Sequence, residues 1–163
     1  SCPLPKNGFS PYDDIFGTVL NRFIVQAIVD KPLTIYGKGT QIRGYINVID
    51  SINCIKITLQ NLPKKGELKI YNQFTEQFSV LELSNIVKKS LKKININVKV
   101  NKIENPRIEK EKHFYNAKHS NLEKLGLKPL KLNEDIVIDI AKYCQKFKQN
   151  IDKKTITPKV KWQ

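Results

Sequence analysis

Between Ile15 and Tyr36 the apolar residues change period once, and that change points the chain towards a mixed fold of helices and strands. Ile15, Phe16, Val19, Leu20, Phe23, Ile24, Ala27 and Ile28 recur at the i, i+3, i+4, i+7 spacing of a helix buried along one face. Asp13 and Asp14 stand where such a helix would begin, at its positive dipole end. Lys31-Pro32 stops it, because the residue before a proline avoids helical backbone. Leu33-Thr34-Ile35-Tyr36 then reads as a short strand and Gly37-Lys38-Gly39 as a turn.

The same reading carries on along the chain. Ile42 to Val48 reads as a second strand, with Asp50 or Ser51 capping a helix through about Leu59. A loop over 61–66 leads to an alternating strand, Glu67 to Asn72. Ser79-Val80-Leu81-Glu82 has the form of a capping box and opens a helix with Val80, Leu83, Val87 and Leu91 inward. Val98 to Ile103 alternates as a strand, broken by Asn105-Pro106-Arg107 and a loop rich in Lys and Glu. Asn116 to Leu125 suits a short helix ended by Gly126, and Asn133-Glu134-Asp135 starts a last helix through Phe147. Residues 1–11, with Pro3, Pro5, Gly8 and Pro11, form an irregular lead-in, and 12–163 one α/β domain. A series of this kind that opens on a helix can lean on a sheet from elsewhere.

Charge narrows the function classes. The net charge is +14. Its cations are 26 Lys against 3 Arg, in a chain that also holds 21 Ile and 15 Asn. Nucleic-acid grooves interleave arginines and stacking aromatics with such charge, so Lys88, Lys89, Lys92 and Lys93 read as a solvated helix face and no nucleic-acid partner is expected. No apolar run reaches the roughly 20 residues of a membrane span. Cys2, Cys54 and Cys144 are scattered, and His113 and His119 are six apart, so neither a disulfide framework nor a metal site is expected. The chain contains no Met, so Ser1 reads as a cut, a processed end or the start of an unusual gene model.

Against so much Lys, the three arginines stand out, because only Arg offers a planar bidentate fork. Arg43 follows Gly37 and Gly39 in one hairpin with Tyr36, a place where backbone and guanidinium could meet a diphosphate; a plain glycine hairpin with a surface Arg fits the same residues. Arg107 sits in the rigid Asn-Pro-Arg loop. Arg22, on the first helix, has a helix-surface salt bridge as its simpler reading. Catalytic signatures are missing: no glycine-rich dinucleotide fingerprint, no Walker sequence, no Tyr-x-x-x-Lys pair, and only two histidines for any triad. No catalytic residue is assigned.

Several strings resemble a known family. Phe16-Gly17-Thr18-Val19-Leu20-Asn21-Arg22-Phe23 and residues 32–45 are similar to the carboxy-terminal, substrate-binding domain of extended short-chain dehydrogenase/reductase sugar-nucleotide enzymes. Tyr71-Asn72-Gln73-Phe74-Thr75-Glu76-Gln77-Phe78-Ser79, Asn105-Pro106-Arg107-Ile108-Glu109, His113 to His119 and Ile156 to Trp162 resemble the UDP-sulfoquinovose synthase family within it. The resemblance runs from about Tyr12 to Trp162 and leaves out the family's Rossmann domain, with its glycine fingerprint and its catalytic Tyr, Lys and Thr. It implies a family chemistry in which NAD-bound enzyme oxidises UDP-glucose at C4, eliminates water across C5–C6, adds sulfite and re-reduces the sugar. It further implies that Arg43 and Arg107 bind the diphosphate, Thr34 and Tyr36 line the uridine, and Asn72 and Gln41 share that pocket. On this reading the chain binds the UDP-sugar but neither NAD nor any other cofactor by itself, and no turnover is expected from it alone. A partner chain would supply the Rossmann half, and the family forms homodimers. A photosynthetic source would place it in the plastid stroma, any other in the cytoplasm. The alternatives are another NAD-dependent sugar-nucleotide epimerase or dehydratase, or a non-catalytic remnant serving as a structural subunit.

Overall fold

The structure is a computed structural model and describes residues 18–104, 119–154 and 156. The chain divides into two compact units, one formed by 1–41, 79–111 and 133–163, the other by 42–78 and 112–132.

The first unit is built from three amphipathic helices and a parallel strand pair. Helix α1 spans Val19–Ile28, later than the stripe from Ile15 suggested, because Thr18 is extended and its hydroxyl caps the Asn21 N–H. Asp13 and Asp14 lie outside the described residues. Strand β1, Leu33–Tyr36, pairs in parallel with β4, Val100–Ile103, in the register Leu33 to Val100 through Tyr36 to Ile103. Helix α3, Val80–Lys92, begins with the expected capping box: Ser79 Oγ accepts the Glu82 N–H and Glu82 Oε2 accepts the Ser79 N–H. That exchange satisfies two donors the first turn leaves open, and it holds the Glu82 carboxyl below its ordinary pKa. Helix α5, Glu134–Lys146, is capped by Asn133 as expected. Phe23, Ile24, Leu33, Ile35, Leu83, Val87, Leu91, Val137 and Ala141 form the fully buried interior of this unit. Ile156 is also fully buried, beside Val25 and Val29, so the described part of the tail is packed onto α1. Lys88, Lys89, Lys92 and Lys93 lie on the exposed face of α3, where Lys89 and Lys93 pair with Glu134.

The second unit holds β2, Ile42–Tyr45, paired with β3, Glu76–Ser79, together with helix α2, Val48–Gln60, and the short α4, Asn121–Lys124. Three expectations need correction here. The strand expected over 42–48 stops at Tyr45, because Asn47 rather than Asp50 or Ser51 caps α2, its Oδ1 accepting the Ile49 N–H at 2.9 Å. Asp50 is instead fully buried and its Oδ2 accepts the Leu130 N–H. Residues 67–72 belong to no strand; the pairing strand comes later, as β3. The helix expected over 116–125 is a single turn from Asn121, and Gly126 ends it at φ 103°, a backbone that favours glycine. Residues 116–118 lie outside the described part. Among the described residues no helix is long and apolar enough to cross a membrane.

Candidate functional site

In the first unit the candidate residues gather around β1. Thr34 is buried, and α1 engages each of its polar atoms. Gln26 Oε1 accepts the Thr34 N–H at 3.1 Å, Gln26 Nε2 donates to Thr34 Oγ1 at 3.2 Å, and Arg22 donates to the Thr34 carbonyl at 3.1 Å. Arg22 and Gln26 are four apart, hence neighbours on one helix face, and together they meet both backbone groups of one strand residue. Two side chains thus do for Thr34 what an adjoining strand would. The Gln26 amide also donates to the Ile156 carbonyl, which ties the tail to the same point.

Arg22 is therefore no helix-surface residue. Its side chain is buried, with the guanidinium 5.3 Å from the Tyr36 ring centre and 5.6 Å from that of Phe23, within cation–π range. Tyr36, half-buried at the end of β1, leads into the Gly37-Lys38-Gly39 turn, where both glycines have positive φ. At Gly39 the need for glycine is also steric, since a Cβ would stand 2.8 Å from Ile35 Cγ2. The Gly39 carbonyl accepts the Leu81 N–H, which fastens the turn to the first turn of α3. Gln41, half-buried, follows this turn.

In the second unit Arg43 lies exposed on β2, its guanidinium donating to the Ile42 carbonyl at 3.0 Å. Gly44 beside it takes the weight of Phe74: a Cβ would meet the Phe74 ring at 3.0 Å. Phe74 stacks in turn on His119, ring centres 3.9 Å apart, and the Thr75 N–H bonds the Tyr45 carbonyl. These contacts bring the segment of Asn72, which is exposed, alongside the segment of Arg43. Glu76 adds a second carboxylate to that of Asp50, accepting the Leu132 N–H at 2.6 Å, so alternate amides of 130–132 are both held. The candidates thus fall into two sets, Thr34, Tyr36 and Gln41 in one unit and Arg43 and Asn72 in the other, while Arg107 lies outside the described residues.

Gln26 and Glu76 were not singled out in the sequence as bonding residues, and Asp50 was read only as a candidate helix cap. Gln26 did leave a trace, an amide inside the apolar run from Phe23 to Ile28. The two described thiols are not activated nucleophiles. Burial pushes both up, and at Cys54 the Asp50 carboxylate adds to the effect.

A helix, a strand, a glycine turn and a second strand leading into another helix, with the fold around them, define a class. The chain has, in part, the fold of the extended short-chain dehydrogenase/reductase epimerases. A UDP-glucuronic acid 4-epimerase of Bacillus cereus, solved with UDP-glucuronic acid and NAD, superposes on 80% of the chain and 40% of its own length, at a TM-score of 0.62 and 26% identity. No family model matches. Within that class the chain is a partial homologue of the UDP-sulfoquinovose synthases. It is 46% identical to the chloroplastic enzyme of Spinacia oleracea over 151 residues and 44% identical to that of Sulfolobus acidocaldarius over 154. Each alignment takes in 93% of the chain, which spans 31% and 39% of these two relatives.

The glycine turn after β1 leads to another strand, so it is not a strand-to-helix turn of the kind on which a dinucleotide pyrophosphate rests.

Proposed function

We propose that this chain is the UDP-sugar-binding part of a UDP-sulfoquinovose synthase-like enzyme, which makes UDP-sulfoquinovose from UDP-glucose and sulfite for sulfolipid synthesis. The observation that carries the reading is the 46% identity sustained over 93% of the chain. Arg43 and Arg107 are assigned to the diphosphate, where two guanidinium forks match two phosphates. The exposure of Arg43 suits that role. Tyr36, Gln41 and Asn72 are assigned to the nucleotide. Thr34, whose hydroxyl and backbone are already engaged by α1, takes the uridine wall by shape. Oxidation and re-reduction of the sugar fall to an NAD-binding half, supplied as a further domain or a partner chain, in a homodimer. The plastid stroma is the compartment for a photosynthetic source, the cytoplasm otherwise.

Calorimetric titration of the chain with UDP and with UDP-glucose tests this reading. Binding at about micromolar Kd is expected, falling at least about 100-fold in the Arg43→Ala, Arg107→Ala double variant, since charge-assisted bonds contribute about 1.5–3 kcal/mol each. Unchanged UDP binding in that variant would sink the diphosphate assignment. A folded chain that binds neither ligand would be a non-catalytic relic or structural subunit.

A further inference from the structure

Arg22 and Gln26 hold the same strand residue from one face of α1, but they are not equivalent. Gln26 meets the Thr34 N–H and hydroxyl, and an uncharged amide is enough for that. Arg22 gives the Thr34 carbonyl one N–H at 3.1 Å, a bond that an amide could also supply. What an amide could not supply is a cation over the Tyr36 ring, 5.3 Å from its centre. Arg22 is only 7% exposed, so this charge has lost most of its water. For packing alone, Leu or Met would hold the place at lower cost. A guanidinium kept here has a use beyond the stability of the fold.

Tyr36 is where that use falls. It is the last residue of β1, opposite Ile103 at the carboxyl end of the parallel β1–β4 pair. Ligands of open parallel sheets bind outside the carboxyl ends of the strands. The backbone on either side of Tyr36 is held, by the Thr34 contacts before it and by the Gly37 N–H donating to the Ile103 carbonyl after it. The ring itself is half-buried, and the Arg22 guanidinium is what meets it from α1.

We propose that Arg22 is a positioning residue of the nucleotide pocket. Its guanidinium covers one side of the Tyr36 ring and holds it where the base of a pyrimidine nucleoside diphosphate packs, and it does not itself reach the phosphates. The proposal rests on the functional reading above, which assigns Tyr36 to the nucleotide. Two arginines then have separate tasks. The exposed fork of Arg43 serves the phosphates, and the buried one of Arg22 serves the base through the ring.

The test is a double-mutant cycle on the full 163-residue chain, titrated with UDP and with uridine. Arg22→Met is expected to weaken UDP binding about tenfold, the size of a desolvated cation–π contact. Tyr36→Leu is expected to weaken it by at least as much, and adding Arg22→Met to Tyr36→Leu to change Kd by less than about twofold. Uridine, which carries no phosphate, should lose the same factor as UDP on Arg22→Met. The ring-proton NMR resonances of Tyr36 should move in Arg22→Met and stay in place in Gln26→Leu, which loosens the same strand residue. Should Arg22→Met not fold, Arg22→Gln runs the same cycle, since it keeps an amide donor and removes the charge. Factors that multiply in the cycle overturn the proposal, as does a folded Arg22 variant that binds UDP like the wild type. A loss confined to UDP assigns Arg22 to the phosphates and overturns it too. Equal ring shifts in Arg22→Met and Gln26→Leu make Arg22 a strand-holding residue only, with the same result. A wild-type chain that binds neither ligand counts against the functional reading and takes this proposal with it.

Discussion

Replacing Gln26 by Leu tests whether the i, i+4 pair on α1 does hold β1. The Gln26 side chain is 1% exposed and makes three hydrogen bonds, to the Thr34 N–H, the Thr34 hydroxyl and the Ile156 carbonyl. Leu occupies a similar volume, so no sizeable cavity opens and the loss is polar. The Thr34 hydroxyl can rotate, but the Thr34 N–H and Ile156 carbonyl are fixed and left unpaired in a buried place. Each orphaned group costs about 1–3 kcal/mol, offset in part because the Gln amide no longer has to be desolvated and Leu gains transfer energy. A net loss of about 2–4 kcal/mol follows. For a chain of this size that is a fall in Tm of about 4–16 °C. Urea unfolding of the wild type, Gln26→Leu and the exposed control Lys92→Ala gives the difference in midpoint, and exchange at the Thr34 amide gives its location. A Gln26→Leu protein within about 0.5 kcal/mol of wild type, with the Thr34 amide still protected, would refute the reasoning.

Gly39→Ala meets both a positive φ of 71° and a Cβ 2.8 Å from Ile35, and is expected to lose about 2–4 kcal/mol in urea unfolding, whereas Gly66→Ala, at φ 84° with nothing within 4 Å, should lose only about 1 kcal/mol. Ser79→Ala removes the α3 cap and should cost about 1 kcal/mol. Because the folded Glu82 pKa is depressed, its contribution is present above the unfolded carboxylate pKa and lost as pH falls through the folded value; Glu82→Gln should flatten that acid step in a pH series of unfolding midpoints. The Cys54 and Cys144 thiols, both pushed up, should react with a disulfide reagent more slowly than a free thiol at pH 8, and Asp50→Asn should speed Cys54 alone, since only there does Asp50 contribute.

Much of this fold was legible locally. The cap of α3 could be read because Ser79 and Glu82 satisfy each other within four residues, and that of α5 because Asn133 meets the Ile136 N–H. The β1 strand and its glycine turn were equally plain, since positive φ in a turn selects glycine whatever surrounds it. The start of α2 was placed too late, because Asp50 and Ser51 are as competent caps as Asn47, which does the capping. Asp50 drops out because its carboxylate is spent on an amide 80 residues away, which no local reading contains.

The sequence by itself determined the helix stripes, the short caps, the glycine turn and the likeness to the sugar-nucleotide enzymes, all of which depend on residues near one another or on strings retained whole. Tertiary structure decided the fates of the polar residues. It took Arg22 from a helix surface to a buried place under Thr34 and Tyr36, and it made Gln26 and Arg22 stand in for a strand. It also left residues 67–72 unpaired despite a strand's alternation. The physical reason is common to all three. A polar group's position depends on where its hydrogen-bond partner lies, and a strand on whether a neighbour is there, and neither is set by the residues beside it in the chain.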